Sequence, residues 1–254
     1  MRFSRKVAIV TGASEGIGRA TAELLARDGA NVIAVARDPS LLHDAVDAIQ
    51  RSGGHAVACP GDATSPSDVE AIVHAAQKDQ GAIDILINCV GGSTVVDKPT
   101  TYVEDMCLED WRRLISFNLE PVFLFCRAVM PVMKGQRSGK IVNLSSISSR
   151  GNTNLVSGAY AAAKCGLEAL TRKLAVEGGA FGINVNAVSP GFTLTERMKP
   201  TWERLDEAAR SAILAKIPLG RLGTAEDQAR VICFLASEEA AFLTGLTIDV
   251  TGGQ

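Results

Sequence analysis

"VAIVTGASEGIG", residues 7–18, decides the fold. Val7 to Thr11 is a short, apolar, mostly β-branched run, which reads as a buried strand. Gly12 ends it, and Gly16 and Gly18 lead into "GRATAELLARDG", helical in period and stopped by Gly29. Glycines between a strand and a helix let backbone N–H groups approach a pyrophosphate at the helix N-terminus. The spacing is TGxxxGxG rather than GxGxxG, and a glycine-rich turn by itself serves any tight bend. The strand-turn-helix context favours a dinucleotide site built from Gly12, Ser14, Glu15, Gly16, Ile17 and Gly18.

The same alternation continues outward. Further strands are expected at 31–36, 55–60, 83–88, 139–146, 183–191 and 246–250. Helical patterns lie between them at 39–54, 67–81, 108–134 and 157–179, with another near 224–236. Pro121 is placed to bend the long helix. Strands separated by helices pair in parallel, because a crossover needs about a helix of chain. The expected fold is α/β: a doubly wound, mostly parallel sheet of seven strands with helices on both faces. No linker divides the 254 residues, so 1–254 reads as a single dinucleotide-binding and catalytic domain.

Bulk properties narrow the function. Hydrophobic residues make up 46%, enough for a large core, and the net charge of −2 offers no basic face to nucleic acid. The six cysteines are scattered without a CxxC pair, and three separated histidines have no metal-ligand spacing. No metal is expected, and the cysteines read as free thiols in a reducing cytoplasm. No run of about 18 apolar residues suggests a membrane span.

In doubly wound sheets the ligand lies beyond the carboxyl ends of the strands, so residues just after each strand carry the information. Asp62, with Ala63, follows the third strand. Its carboxylate is suited either to an adenine amino group or to capping a turn. Asn88 and Gly91, in "NCVGG", are placed to line a ribose through their backbone. Ser145 and Ser146 end the fifth strand. At the end of the sixth, Pro190 and Gly191 let the chain pass close to a ligand, and Thr193 and Thr195 are contacts to cofactor carboxamide or diphosphate or part of a solvated loop. In "AYAAAKCG", 159–166, Tyr160 and Lys164 stand one helical turn apart among small residues. They are a plain surface pair or a phenol whose acidity is tuned.

"TGASEGIG", "NCVGG", "FN" at 117–118, "VNLSS", "YAAAK", "SPG" and "LTGLTIDVTGG", in this order, resemble the classical short-chain dehydrogenase/reductase family over essentially the whole chain. The resemblance implies hydride transfer between a nicotinamide cofactor and a ketone or secondary alcohol. It implies a tetrad of Asn118, Ser146, Tyr160 and Lys164, and a substrate-covering lid at about 192–220. Cys89 and Val90 depart from the family's usual Asn-Ala. The gap from Ser146 to Tyr160 is one residue longer than the commonest, which leaves Ser148 one residue too close.

In that reading Tyr160 is the acid/base, its pKa of about 10 lowered by the Lys164 ammonium. Ser146 holds the substrate oxygen. Lys164 also bonds the nicotinamide ribose, and Asn118 holds a water in a relay to Lys164. Alternatively, Asn118 is a helix-interior amide satisfied by a carbonyl. Phe117 reads as core, and Trp111 and Trp202 have no assigned role.

The cofactor signals are split. An acid that binds both ribose hydroxyls of NAD is expected at the end of strand two, where Ala36 stands. Arg37 follows, suited to the 2′-phosphate of NADP. Glu15 opposes that phosphate, and Asp38 is an alternative ribose ligand. The missing acid decides for NADP over NAD. Val122, Phe123, Phe125, Leu167, Leu170 and Leu174 place apolar side chains on more than one helix face. They suggest burial against a neighbour, and the resemblance makes that a homotetramer. Two other readings stay open: an NAD-dependent polyol, sugar or hydroxysteroid dehydrogenase, and a protein that senses dinucleotide without catalysis.

Overall fold

The computed structural model describes residues 1–150 and 156–254. The first half runs β1 (Val7–Thr11), α1 (Gly16–Arg27), β2 (Asn31–Ala36), α2 (Pro39–Arg51), β3 (His55–Pro60), α3 (Pro66–Gln80), β4 (Ile85–Asn88) and α4 (Leu108–Gln136). The second half runs β5 (Gly139–Leu144), α5 (Gly158–Gly179), β6 (Ile183–Pro190), β7 (Thr193–Leu194), α6 (Lys199–Arg204), α7 (Glu207–Leu214), β8 (Gly223–Thr224), α8 (Ala225–Leu235) and β9 (Thr247–Val250). Local chemistry sets the helix starts. The Asp38 carboxylate caps α2, with Pro39 at its first position. Ser157 caps α5, and Thr224 forms a capping box with Asp227 on α8.

Seven strands form one sheet in the order β3-β2-β1-β4-β5-β6-β9. Every pair in it is parallel, where a mostly parallel sheet was expected. β7 and β8 pair separately, two residues each, too short to leave a pattern in the sequence. Strand side chains alternate between two cores. Ala8, Val10, Ile85 and Ile87 pack with Leu25, Val46 and Ile232 of α1, α2 and α8. Val7, Ile9, Leu86 and Val185 pack with Ile72, Phe125, Val129 and Leu167 of α3, α4 and α5.

β4 and β5 are each two residues shorter than anticipated. β4 starts at Ile85, and β5 stops at Leu144, so Ser145 and Ser146 lie just past the sheet. α4 continues as one helix through Pro121 and Pro131. By length and hydropathy α4 would also suit a membrane span, which the sequence reading did not anticipate. Yet Leu114, Val122, Phe125, Val129 and Met133 of this helix are buried within the protein.

The expectation of apolar residues left over on α4 and α5 needs correction. Val122, Phe125, Leu167 and Leu174 are buried in the chain's own core, and Leu170 packs against it. Of the six residues only Phe123 is exposed, at 48%. The helices are held between sheet and neighbouring helix, so both of those faces are used within one chain.

Candidate active site

α1 leaves β1 on one face of the sheet and α4 follows β4 on the other, so a crevice opens beyond the ends of these adjacent strands. It holds a cleft of about 910 Å³, near the upper end for small-molecule sites, roughly 300–1,000 Å³. Gly12, Ser14, Glu15, Gly16, Ile17 and Gly18 form one wall. Gly12 and Gly16 take left-handed φ values of 66° and 56°. A Cβ on Gly18 would overlap the Gly12 carbonyl oxygen, so only glycine lets α1 start this close to β1.

The N-terminus of α1 has no side-chain cap of its own. Instead the Gly16 N–H donates to Glu196 Oε2 at 3.0 Å, from the segment after β6. A carboxylate stands where the helix end favours an anion. With Glu196 turned aside, the helix end and the glycine cradle suit a dinucleotide diphosphate.

Toward the ends of β2 and β3 the cleft is lined by Ala36, Arg37, Asp38, Asp62 and Ala63. The Arg37 guanidinium carbon lies 5.6 Å from the centre of the Phe117 ring. Phe117 is half-buried and lines the cleft, where the sequence suggested core. Asp38 Oδ1 accepts from the Ser40 and Leu41 N–H groups at 2.9 and 3.1 Å, which commits it to α2 rather than to a ribose. Asp62 Oδ1 accepts from the Thr64 N–H at 2.8 Å and the Thr64 hydroxyl at 2.7 Å, the turn reading of that carboxylate.

Asn88 was expected to line a ribose through its backbone. Its amide donates to Asn143 Oδ1 at 2.9 Å and is buried, and the cleft lining begins one residue later, at Cys89, Val90 and Gly91. Burial pushes the Cys89 thiol up to about 12, so it stays protonated at neutral pH. Pro190, Gly191, Thr193 and Thr195 do line the cleft. The Thr193 hydroxyl donates to the Gly191 carbonyl at 3.2 Å and accepts from the Gln228 amide at 3.1 Å.

Ser145, Ser146, Tyr160 and Lys164 meet at the far end of the cleft. The Ser146 hydroxyl faces the Tyr160 phenol and favours its ionised form. The Ser146 Oγ also accepts from the Ser148 N–H at 3.2 Å. The longer gap between Ser146 and Tyr160 includes 151–155, outside the described residues.

The expected lowering of the phenol by Lys164 is not found. Loss of water raises the Tyr160 pKa above 10, against smaller lowering effects of the Ser146 hydrogen bond and the Arg197 charge. Lys164 Nζ lies 5.8 Å from the phenol ring centre and donates to the Leu144 carbonyl at 2.7 Å. Its own burial lowers the ammonium pKa from 10.5 to about 8.

Asn118 also differs from expectation. It does not line the cleft, and its amide group is engaged on both sides. Nδ2 donates to the carbonyls of Gly92 at 3.0 Å and Leu114 at 2.9 Å, and Oδ1 accepts from the Gly92 N–H at 2.8 Å. The Asn118 side chain thus holds the backbone of Gly92 to α4. A Cβ on Gly91 would stand 2.8 Å from Asn118 Oδ1 and 2.9 Å from Lys164 Nζ, so this loop runs between the two side chains.

The chain matches the family model described as Enoyl-(Acyl carrier protein) reductase over residues 12–254. It is 38% identical over 255 residues to a 3-oxoacyl-(acyl-carrier-protein) reductase of Escherichia coli (strain K12), covering 100% of this chain and 99% of the relative. The chain belongs to the short-chain dehydrogenase/reductase family.

Solved members of the short-chain dehydrogenase/reductase family superpose over nearly the full length. Levodione reductase gives a TM-score of 0.92 at 30% identity, covering 100% of this chain and 98% of its own. A 7α-hydroxysteroid dehydrogenase in complex with NADH and 7-oxo glycochenodeoxycholic acid gives 0.91 at 32%, covering 99% and 95%. The chain has the fold of these proteins and is an NAD(P)-dependent oxidoreductase.

Two side chains from the segment after β6 went unseen in the sequence. Glu196 reaches the glycine loop, and Arg197 Nη1 donates to the Gly91 carbonyl at 2.9 Å. Their signal was absent because "ERMKPTWER" mixes charges without a period. Gly92 carried a faint one, an extra glycine beyond the "NCVG" turn.

Proposed function

We propose that this chain is a reductase of ketones, or a dehydrogenase of the matching secondary alcohols, that prefers NADP(H). The observation that carries it is the meeting of Ser146, Tyr160 and Lys164 in the same cleft as the glycine loop. Gly12 to Gly18 would hold the diphosphate, and Pro190, Gly191, Thr193 and Thr195 would flank the nicotinamide, which supplies or accepts hydride. Ser146 holds the substrate oxygen by hydrogen bond. Tyr160 delivers the proton to that oxygen in reduction and withdraws it in oxidation. Lys164, anchored on the Leu144 carbonyl, faces the ribose. Asn118 positions the 91–92 loop against Lys164. The segment 192–220 acts as a lid over the substrate.

Arg37 supports the choice of cofactor. Its guanidinium lies over Phe117 at the end of β2, where Ala36 has no carboxylate for a ribose diol. On one working ketone, wild type should show the higher kcat/KM with NADPH. Arg37→Ala should lose about tenfold with NADPH, the value of one charge-assisted hydrogen bond or more, and little with NADH. A wild type that favours NADH, with no effect of Arg37→Ala on NADPH, overturns the assignment. A screen of NADPH oxidation against neutral and charged ketones tests the activity itself. No turnover of any ketone, beside tight NADPH binding, would indicate a dinucleotide sensor.

We place the protein in the cytoplasm, as a homotetramer. Support comes from the apolar residues that the folded chain leaves exposed: Leu108, Trp111 and Phe123 on α4, Val176 on α5, and Phe242 and Leu246 before β9. Light scattering at micromolar concentration should give four times the chain mass of 26.7 kDa. A single-chain mass would refute it.

A further inference from the structure

Arg197 stands at the reacting end of the cleft without a role in the chemistry above. It lines the cleft, and Nη1 lies on the loop after β4, bonded to the Gly91 carbonyl at 2.9 Å. Gly92 makes room for it, since a Cβ there would overlap Nη1. The guanidinium has five N–H donors, and only the bond to Gly91 engages them among the described residues. No carboxylate pairs with it among the described residues, although other arginines on this surface are paired, such as Arg150 with Asp249 and Arg221 with Asp227. Its charge reaches both Tyr160 and Lys164.

The surrounding chemistry fits one kind of ligand. From the segment after β6, from α7 and from just past its end, the cleft receives Phe192, Met198 and Ile213 together with Arg197 and Lys216. The acids that line the cleft, Asp38, Asp62 and Glu196, hold backbone N–H groups of the protein, and Glu15 belongs to the glycine loop. The side of the cleft formed by these segments is therefore apolar, with Arg197 and Lys216 as its cations.

We infer that Arg197 is a specificity residue, and that it selects oxo acids: ketones with a free carboxylate on a short apolar chain near the carbonyl. A carboxylate on the open side of the guanidinium would accept two parallel N–H bonds, and the carbonyl would point at Ser146 and Tyr160. This rests on the ketone-reductase reading of the same site, and the test separates the two.

The experiment compares a short oxo acid with its methyl ester, for example levulinate and methyl levulinate, at saturating NADPH. The wild type should favour the carboxylate in kcat/KM by about tenfold or more, the worth of a hydrogen bond to a charged group. Arg197→Gln should abolish that preference through the KM of the acid. Arg197→Lys should keep part of it, since the charge remains while the fork is lost. Equal use of acid and ester by the wild type overturns the inference and leaves the reductase reading intact, as does an unchanged preference in Arg197→Gln. If Arg197→Gln instead raises the KM for NADPH with the acid-to-ester ratio unmoved, the residue serves the cofactor and the inference fails. No reduction of either compound, with other ketones turned over, also counts against it. No reduction of any ketone removes the underlying reading.

Discussion

Tyr160→Phe should lower turnover at least about 100-fold while cofactor affinity stays near that of the wild type. The substitution removes one oxygen, the atom that faces Ser146, and leaves the ring in its place on α5. Loss of a positioned general acid costs about 10²–10⁴-fold. The pH profile follows from the direction of the shift. Water is stripped from the phenol, so its pKa is raised above 10 and the protonated form persists across neutral pH. Reduction consumes that proton. Its kcat/KM should be flat through neutrality and fall only in alkaline solution. Oxidation of the alcohol needs the phenolate and should rise with pH. Initial rates in both directions from pH 6 to 11 check this. Near-normal turnover in a folded Tyr160→Phe protein would sink the mechanism.

Gly18→Ala should damage both fold and cofactor binding. The added carbon would overlap the Gly12 carbonyl oxygen, and backbone cannot swing aside as a side chain does. Overpacking of this kind costs about 1–3 kcal/mol, which at this chain length lowers Tm by roughly 2–4 °C per kcal/mol. Relief must come from moving α1 away from β1, which also displaces the N–H groups offered to the diphosphate. Affinity for NADPH should fall about tenfold or more, the worth of one or two hydrogen bonds to a charged group. Fluorescence titration and thermal unfolding read the two effects separately. A lower Tm with unchanged affinity would make the glycine a packing residue only. Wild-type values for both would mean that the close approach at Gly18 is not rigid.

Much of the architecture was legible because apolar runs and helical periods alternate without interruption from Val7 to Val250. Every main strand was expected within a few residues. The glycine loop and the Tyr160–Lys164 pair were equally visible, since motif and element context agreed. What could not be read was how side chains use their hydrogen bonds. Asn88 and Asn118 looked like site residues, yet both amides are spent inside the protein, on Asn143 and on Gly92 and Leu114. Phe117 looked like core because aromatic residues usually are, and only the path of the chain after β2 brings Arg37 over it. The apolar excess on α4 and α5 was overestimated because a helix flanked by a sheet and another helix buries more than one stripe. Glu196 and Arg197 stand on short elements where neither period nor spacing carries information.

The wholly parallel sheet also has a bearing on the order in which the molecule assembles. Some neighbouring strands lie far apart along the chain: Ala8 of β1 pairs with Ile85 of β4, and Ala187 of β6 with Thr247 of β9. Non-local pairings are reached late, since a long loop must close before any contact rewards it. The crevice between β1 and β4 therefore comes into being only when a distant segment has docked. Nucleotide can act as a ligand of the finished sheet but not as a template for its nucleus. Its stabilising influence falls on the rate of unfolding, while the search that builds the sheet is left to the chain alone.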